Sequence, residues 1–320
     1  MEKDERAMLR DSLRRLLVET DRAKLSTALD EFGWLDLLAA EPGEAVAALF
    51  ETQGETLTGS PAVNAVMAGP LRAAVPDDDD RGLWEWTVAV TGPGSGVGPS
   101  PAVYAITAGA TVGPCLVVIH RDGQPVLAEI DFAATVETVE GVDPWLGLVR
   151  FDAAASAAHV LFRGEAVTLA GQESVAAGRR ALSHELVGVS RAMLALAVEH
   201  AGERRQFGRP IGAFQAVKHR LAEARVALSA AEAAADEAWA DPGPLTALLA
   251  KLWAGRAARL VGKQAQQVLG GMGFTWEHPF HRHLRRALML DSLLGSTTEL
   301  QHELGRSLLA DGRVPRLAPL

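Results

Sequence analysis

The chain has 320 residues, with 31 basic and 40 acidic side chains and a formal net charge of −9. This acidic balance argues against nucleic acid as a main partner, because surfaces that bind nucleic acid are basic. A single cysteine, Cys115, excludes an internal disulfide framework and a cysteine-based zinc site, and we expect it to be a buried strand residue.

The sequence gives no sign of membrane insertion or secretion. No apolar run reaches the roughly 18 residues that a membrane span needs. The charged first segment, MEKDERAMLR, lacks the apolar stretch of a signal peptide. We therefore expect a cytoplasmic protein without membrane contact. Alanine is abundant and lysine is rare, as in proteins of GC-rich bacterial genomes.

Residues 1–76 are predicted to form an N-terminal domain of short helices. Apolar side chains recur at helical spacing in Met8–Leu17, Asp30–Ala40, Ala45–Gly54 and Asn64–Ala74. A run of four aspartates, Asp77–Asp80, follows these helices. Because calcium loops space their carboxylates apart, we interpret this run as an exposed linker.

Residues 77–175 are predicted to form a small central β-domain, antiparallel and barrel-like. Between Leu83 and Thr168 the apolar residues alternate, and turn residues separate the short runs. The pair Asp122-Gly123 is typical of a hairpin turn. The candidate strands are Trp84–Val90, Ala102–Ala108, Cys115–His120, Val126–Asp131, Ala134–Val139 and Gly147–Phe151.

Residues 176–320 are predicted to form a C-terminal helical bundle. The segment Gly178–Glu203 has apolar residues at steps of three or four and no proline, which predicts one long amphipathic helix. Long helices with short connections indicate antiparallel packing. The fold class is therefore α+β and mainly α. The further predicted helices are Ala213–Ala240, Leu245–Leu269, Phe280–Leu294 and Thr298–Leu309.

The corner after the long helix groups residues that suit an anionic, planar ligand. Arg204 and Arg205 are followed by Gln206, Phe207 and Gly208. Guanidinium groups fit pyrophosphate oxygens, an aromatic ring can stack on a base, and glycine permits close backbone approach. A helix end with solvated arginines has the same pattern, so spacing alone leaves both interpretations open.

Two segments give the chain a family resemblance. The sequence ERRQFGRPIGAFQAVKHRLAE, residues 203–223, closely resembles a signature of flavin-dependent acyl-CoA dehydrogenases. Residues 266–278 resemble the Q-x-x-G-G-x-G-F segment of the same family. The resemblance covers most of residues 80–310. It implies an N-terminal helical domain, a central β-domain, a C-terminal bundle and FAD as the cofactor.

The resemblance also implies where the cofactor binds. In the family, residues at the two signatures reach across a subunit interface to the adenine and pyrophosphate of the neighbour's FAD. The matching positions here are Arg204, Gln206, Phe207, Gln267, Gly270 and Gly271.

The flavin-ring side of the site matches the family less well. Val90–Gly96 resembles the family's flavin loop, usually T-E-P-x-x-G, but Gly92 replaces the acid. Thr91 would hydrogen-bond the edge of the flavin ring, although the segment also reads as a flexible turn. The Trp-Ile-Thr-like strand expected next is missing, and Tyr104–Thr107 is a poor substitute.

The family's catalytic base has no counterpart at its usual positions. Family members use a carboxylate to remove a proton next to the thioester carbonyl, while a hydride leaves the next carbon for the flavin. The two known placements of that carboxylate fall on Gly295 and near Gly178. Glu185, on the helix face of Gly178, and Glu299, one turn after Gly295, are the candidate substitutes. Both also suit structural roles.

A histidine-rich segment does not predict a metal site. His278, His281 and His283 follow Glu277, but their spacing is not the i, i+4 pair of a zinc helix. The family resemblance already accounts for the start of this segment. We therefore predict no metal.

The sequence thus predicts an acyl-CoA dehydrogenase-like subunit without the usual base. It would act on an acyl thioester of CoA or of a carrier protein, in a homo- or hetero-oligomer, dimer or tetramer, with a related dehydrogenase chain. Its FAD would be shared across the subunit interface. One alternative is a self-sufficient homo-oligomer that uses Glu185 or Glu299. Another is a flavin-free structural subunit or a non-redox enzyme such as a dehydratase.

Overall fold

The computed structural model describes residues 1–75, 82–91, 102–107, 114–121, 124–130, 137–139, 143–152 and 158–312. These residues form helices at both ends of the chain and two small sheets between them, which confirms the predicted α+β, mainly helical architecture. The predicted Asp77–Asp80 linker lies outside the described residues.

The N-terminal part consists of short helices, as predicted. They are α1 (Lys3–Glu19), α2 (Leu25–Glu31), α3 (Trp34–Ala40), α4 (Pro42–Thr56) and α5 (Ala62–Arg72). The prediction of a single helix over residues 30–40 was wrong, because the chain breaks at Gly33. That residue has a φ of 79°, in the left-handed region that glycine adopts at low cost.

The central part contains eight strands among its described residues. They are β1 (Thr87–Val88), β2 (Val90–Thr91), β3 (Ala102–Ile106), β4 (Cys115–Arg121), β5 (Gln124–Ile130), β6 (Glu137–Thr138), β7 (Leu148–Asp152) and β8 (Ala158–Arg163). One sheet has the order β1-β4-β5-β8 and the other β2-β3-β7-β6. In the described residues these are two open sheets, and neither closes into a barrel.

The strand predictions were correct in part. Strands β4 and β5 pair with Arg121 opposite Gln124, as the hairpin prediction requires, although the two turn residues lie outside the described residues. Cys115 is fully buried, which confirms the expectation for it. The predicted strand Trp84–Val90 is instead a 3₁₀ turn followed by two short strands. Strand β8 was not predicted, and β1 pairs with β4 in parallel.

The C-terminal bundle is built around one long helix. Helix α6 (Glu165–Glu203) has 39 residues and begins well before the predicted start at Gly178. The others are α7 (Gln215–Ala240), α8 (Pro244–Leu269), α9 (Phe280–Ser292) and α10 (Thr297–Asp311), all close to their predicted bounds. A hairpin of β9 (Arg205–Gln206) and β10 (Arg209–Pro210), not predicted, joins α6 to α7.

Helix α6 is the core helix of the molecule. By length and composition alone it is apolar enough to cross a membrane, contrary to the expectation from the sequence. Its most apolar window is 72% buried in the fold, however, as in the central helix of a bundle. Gly188 of α6 lies directly against the backbone of Glu51 in α4, so these two helices pack at very close range.

Candidate functional site

The first signature segment forms an exposed corner after α6. The hairpin of β9 and β10 turns at Phe207, which has a φ of 52° and is 91% exposed. Its ring meets the ring of Phe214 edge-on, with the centroids 6.1 Å apart. A positive φ is energetically costly for a non-glycine residue, and residues with such backbone strain cluster at binding sites.

The second signature segment runs from the last turn of α8 through the 3₁₀ turn Gly270–Phe274. A cleft of about 370 Å³ there is lined by Lys263, Gln266, Gln267, Gly270 and Phe274. A Cβ added at Gly270 or at Gly271 would meet nothing within 4 Å. The outer side of this turn is therefore open to a ligand. The ring of Phe274 is 78% exposed at the edge of the cleft.

Each signature segment has a residue close to the last turn of α6. The pKa of His200 in that turn is lowered by partial burial and by its electrostatic interactions with His278 and Arg204. Arg204 is the second residue of the first segment, and His278 is the last residue of the second. One residue of each segment therefore lies near the end of α6, although the segments are far apart in sequence.

The residues at this end fit the adenine and pyrophosphate part of FAD. Arg204 and Lys263 are exposed cations, and Gln267 adds an exposed amide. The open glycine turn lets a ligand approach the backbone, and the exposed Phe207 ring can stack on a base. All of these groups lie on the surface of the chain.

The flavin-ring side is described only in part. Thr91 lies in β2, opposite Val103 of β3. The rest of the predicted flavin loop lies outside the described residues. The hydroxyl of Thr107 donates a hydrogen bond to the carbonyl oxygen of Gly147 at 2.8 Å. This hydrogen bond stabilises the end of the sheet.

The two family positions for the base are closed by apolar side chains. A Cβ added at Gly178 would lie 2.5 Å from Cδ1 of Leu294 and 2.7 Å from Sδ of Met67. A Cβ added at Gly295 would lie 2.7 Å from Cδ2 of Leu300, and Gly295 has a φ of 100°. Neither position has room for a carboxylate side chain without movement of its neighbours.

Glu185 lies in a buried ion-pair network. Its Oε1 accepts a hydrogen bond from Nη1 of Arg286 at 2.7 Å, and Arg286 also pairs with Asp143. Burial raises the pKa of Glu185, and the positive charge of Arg286 opposes that rise. The network joins α6, α9 and the segment before β7, which is a structural task.

Glu299 is the third residue of α10 and belongs to its capping box, in which Ser296 is the N-cap. Its exposed carboxylate accepts hydrogen bonds from the backbone N–H and the hydroxyl of Ser296, both at 2.8 Å. The hydroxyl oxygen of Ser296 accepts a hydrogen bond from the backbone N–H of Glu299, which completes a capping box. The structure therefore places Glu185 and Glu299 in two separate structural networks.

The sequence analysis missed a polar network between α4, α6 and α7. Oε1 of Glu51 lies 3.1 Å from Nδ1 of His184, and the indole N–H of Trp239 donates to Nε2 of that imidazole. Since Nε2 accepts, the neutral ring donates to Glu51 through Nδ1. The signal was a glutamate inside apolar α4 and a histidine inside apolar α6.

This network borders a large, open cleft. The cleft has a volume of about 730 Å³, and Glu51, Arg191 and Trp239 contribute to its wall. Burial alone would raise the pKa of Glu51, but the hydrogen bond from His184 and the charges of Arg191 and Arg10 lower it to about 2. Glu51 is therefore ionised at neutral pH.

The histidines after the second signature segment make local hydrogen bonds. Nδ1 of His281 lies 2.7 Å from the carbonyl oxygen of His278. The two ring nitrogens of His283 lie near the carbonyl oxygens of Pro279 and Glu55. Within the described part of the chain, no group of three or more histidine, cysteine, aspartate or glutamate side chains converges on a metal position.

Comparison with known proteins identifies relatives of the chain. A family profile described as "Acyl-CoA dehydrogenase, C-terminal domain" matches residues 168–309. Acyl-CoA dehydrogenase IpdE2 of Mycolicibacterium smegmatis is 32% identical over 210 residues, 63% of this chain and 66% of that protein. The protein of the same name in Mycobacterium tuberculosis is 41% identical over 123 residues, 38% of this chain and 39% of that protein. These matches thus span less than two thirds of either relative.

Solved structures match along nearly the whole chain. The Tcur3481-Tcur3483 steroid ACAD G363A variant has a TM-score of 0.78 at 23% identity, over 97% of this chain and 98% of that chain. The ChsE4-ChsE5 complex from Mycobacterium tuberculosis has a TM-score of 0.73 at 20% identity, over 99% of both chains. At these identities the structural matches show a shared fold.

Proposed function

The chain belongs to the acyl-CoA dehydrogenase family, and from that premise we propose that it is the subunit without the usual base in an oligomer that dehydrogenates an acyl thioester. The acyl group would be carried by CoA or by a carrier protein. One observation carries the proposal. Both family positions for the base are glycines closed by apolar side chains, whereas the cofactor-side residues remain exposed.

The closed positions matter because the reaction needs a positioned base. Such a base typically contributes ~10²–10⁴ in rate. Glu185 is bound to Arg286, and Glu299 caps a helix, so each carboxylate already has a structural partner. We therefore place the base on a companion chain.

The exposed corner gives this chain its task in the oligomer. FAD, when bound, supplies the acceptor for the hydride. Arg204 and Lys263 would pair with the pyrophosphate, Gln267 would hydrogen-bond it, and Phe207 would stack on the adenine. Gln206, Gly270 and Gly271 would line the same half of the cofactor. The FAD would thus be shared across the subunit interface.

We propose a related dehydrogenase chain as the companion. The exposed corner needs a second chain to enclose a bound dinucleotide. A solved structure that shares the fold is itself a complex of two proteins, ChsE4 and ChsE5, which supports a hetero-oligomer over a homo-oligomer. We place the assembly in the cytoplasm.

A flavin-free structural subunit is the second candidate, because closure of both base positions also favours it. The FAD content of the purified protein distinguishes this candidate from the dehydrogenase subunit. The chain should be purified alone and after co-expression with a family member that keeps the glutamate base, and its visible absorption should be recorded. We expect little flavin in the isolated chain and a stoichiometric flavin band in the complex.

Matched variants test the corner itself. Arg204→Ala should lower the FAD content of the complex, whereas Arg205→Ala should not, because the Arg205 guanidinium donates locally to the carbonyl oxygen of Gly208. A complex that forms without flavin would favour the structural role. An isolated chain that binds FAD and oxidises an acyl-CoA would contradict the proposal.

A further inference from the structure

The loop between α9 and α10 holds a leucine in an unusual backbone conformation. Leu294 has a φ of 55° and is 2% exposed. Left-handed backbone is costly for a residue with a branched side chain, and it persists only where the surroundings enforce it. The structure shows both what the side chain fills and what holds the backbone.

The side chain of Leu294 fills a notch on α6. The notch is formed at Gly178, where the helix has no side chain and the neighbours Ala177 and Ala181 are small. Leu294 reaches it from the loop, and Met67 reaches it from α5. Both side chains are almost fully buried, so they fill the space between α5, α6 and the loop.

Two cations hold the backbone of the loop. Nε of Arg179 donates to the carbonyl oxygen of Leu294 at 3.0 Å, while its two terminal nitrogens bind the carboxylate of Glu303. Nζ of Lys251, a fully buried side chain, donates to the carbonyl oxygen of Gly295 at 3.3 Å. A backbone held by two buried or half-buried cations is a fixed element of the fold.

We infer that Leu294 and Met67 form a plug that occupies the space of an acyl group beside α6, so that this chain does not bind the acyl part of a thioester. This inference rests on the proposed function, because the family's base positions locate the acyl group next to Gly178 and Gly295. The side chain of leucine has as many carbon atoms as a butanoyl group, so removal of the plug leaves a space of the right size for a short acyl chain.

The double variant Leu294→Gly, Met67→Ala tests the plug. Glycine at position 294 relieves the positive φ, so the side chain is lost without a new backbone cost. Binding of butanoyl-CoA, of CoA and of benzene should be measured by titration calorimetry on the wild type and the variant. Benzene is included because dry, apolar cavities bind it without any contribution from CoA.

We expect the wild type to bind butanoyl-CoA and CoA within about twofold of each other and to bind no benzene. The double variant should bind butanoyl-CoA at least about tenfold more tightly than CoA, since each buried methylene contributes about fourfold. It should also bind benzene. A wild type that prefers butanoyl-CoA tenfold overturns the plug, and so does a variant that gains affinity for neither butanoyl-CoA nor benzene.

Two further variants keep the result interpretable. Leu13→Ala also removes a fully buried leucine, but from α1, so it should gain no preference for butanoyl-CoA. Leu294→Gly alone should show a smaller gain and serves if the double variant does not fold. These measurements use binding without flavin or partner. They can therefore fail while the subunit proposal stands, and dehydrogenation by the isolated chain would contradict that proposal separately.

Discussion

Glu51 of α4 and His184 of α6 share a buried hydrogen bond, 3.1 Å between Oε1 and Nδ1. The pKa of Glu51 falls from 4.5 to about 2 in the folded protein, so the folded state favours the ionised form. Its stabilising contribution is present above pH 4.5 and is lost as the pH falls towards 2. The difference in pKa corresponds to about 3 kcal/mol.

We therefore expect Glu51→Gln to lower the free energy of unfolding at pH 7 and to reduce its dependence on pH below 4.5. Urea unfolding at pH 7 and pH 3 measures both effects. Glu44→Gln is the control, because Glu44 makes a more exposed ion pair with Arg6 and such pairs contribute little. Equal pH dependence in the wild type and Glu51→Gln would contradict the role of this carboxylate.

Lys251 affects the stability of the protein at alkaline pH, whereas Glu51 affects it at acidic pH. Burial lowers its pKa from 10.5 to about 8, with Asp291 opposing that shift and Arg179 and Arg259 adding to it. The folded state then binds fewer protons than the unfolded state between pH 8 and 10.5, so stability rises with pH there. From pH 7 to pH 10 the wild type should gain about 2 kcal/mol relative to Lys251→Met.

Chemical unfolding of the two proteins across this range checks that gain. Lys251→Met should also loosen the loop after α9, since the carbonyl oxygens of Asp291 and Gly295 lose their donor. Faster amide hydrogen exchange in that loop would report the change. Parallel stability curves for both proteins from pH 7 to pH 10 would show that Lys251 keeps an ordinary pKa.

The long helices could be predicted from sequence because their signals are local. Helix α8 was predicted from Leu245 to Leu269 and runs from Pro244 to Leu269, since Pro-Gly punctuation and apolar periodicity both mark its bounds. Strand β8 was missed because its short apolar run, AHVLFR, has no distinctive period. The parallel pairing of β1 with β4 is a long-range contact that no local pattern encodes.

The candidate site divides in the same way. The cofactor-side residues were predicted from two contiguous segments, each of which has a residue near His200. The glycines at the two predicted base positions, Gly178 and Gly295, were also read from the sequence. The side chains that fill those positions could not be predicted, because the contact of Leu294 with Gly178 depends on how a distant loop packs on α6.

Glu185 allows a direct test of its two possible roles. In its network with Arg286 and Asp143, Glu185→Gln should cost about 2 kcal/mol of stability, because the buried guanidinium loses a charged partner. Turnover by the assembled complex should stay within about threefold of the wild type. Thermal unfolding and steady-state rates measure the two effects.

Glu299→Gln is the matched carboxylate control for that experiment. It weakens one capping box, so it should cost about 1 kcal/mol and leave turnover unchanged. If Glu185→Gln instead lowers turnover by ~10² or more while the folded fraction is unchanged, Glu185 is the base. The subunit proposal would then give way to the self-sufficient enzyme.

The crossing of α4 and α6 predicts a large effect from one methyl group. A Cβ on Gly188 would collide with the backbone of Glu51, which cannot rotate away, so Gly188→Ala must push the helices apart. We expect a loss of at least about 2 kcal/mol, because the core loses contacts and the hydrogen bond between Glu51 and His184 stretches.

Gly202→Ala is the control, because Gly202 lies in the same helix and a Cβ added there meets nothing within 4 Å. Since alanine favours a helix over glycine, it should stabilise the protein by up to about 1 kcal/mol. Thermal and urea unfolding of both variants would decide, and a tolerated alanine at position 188 would mean that the helices are not packed at this distance.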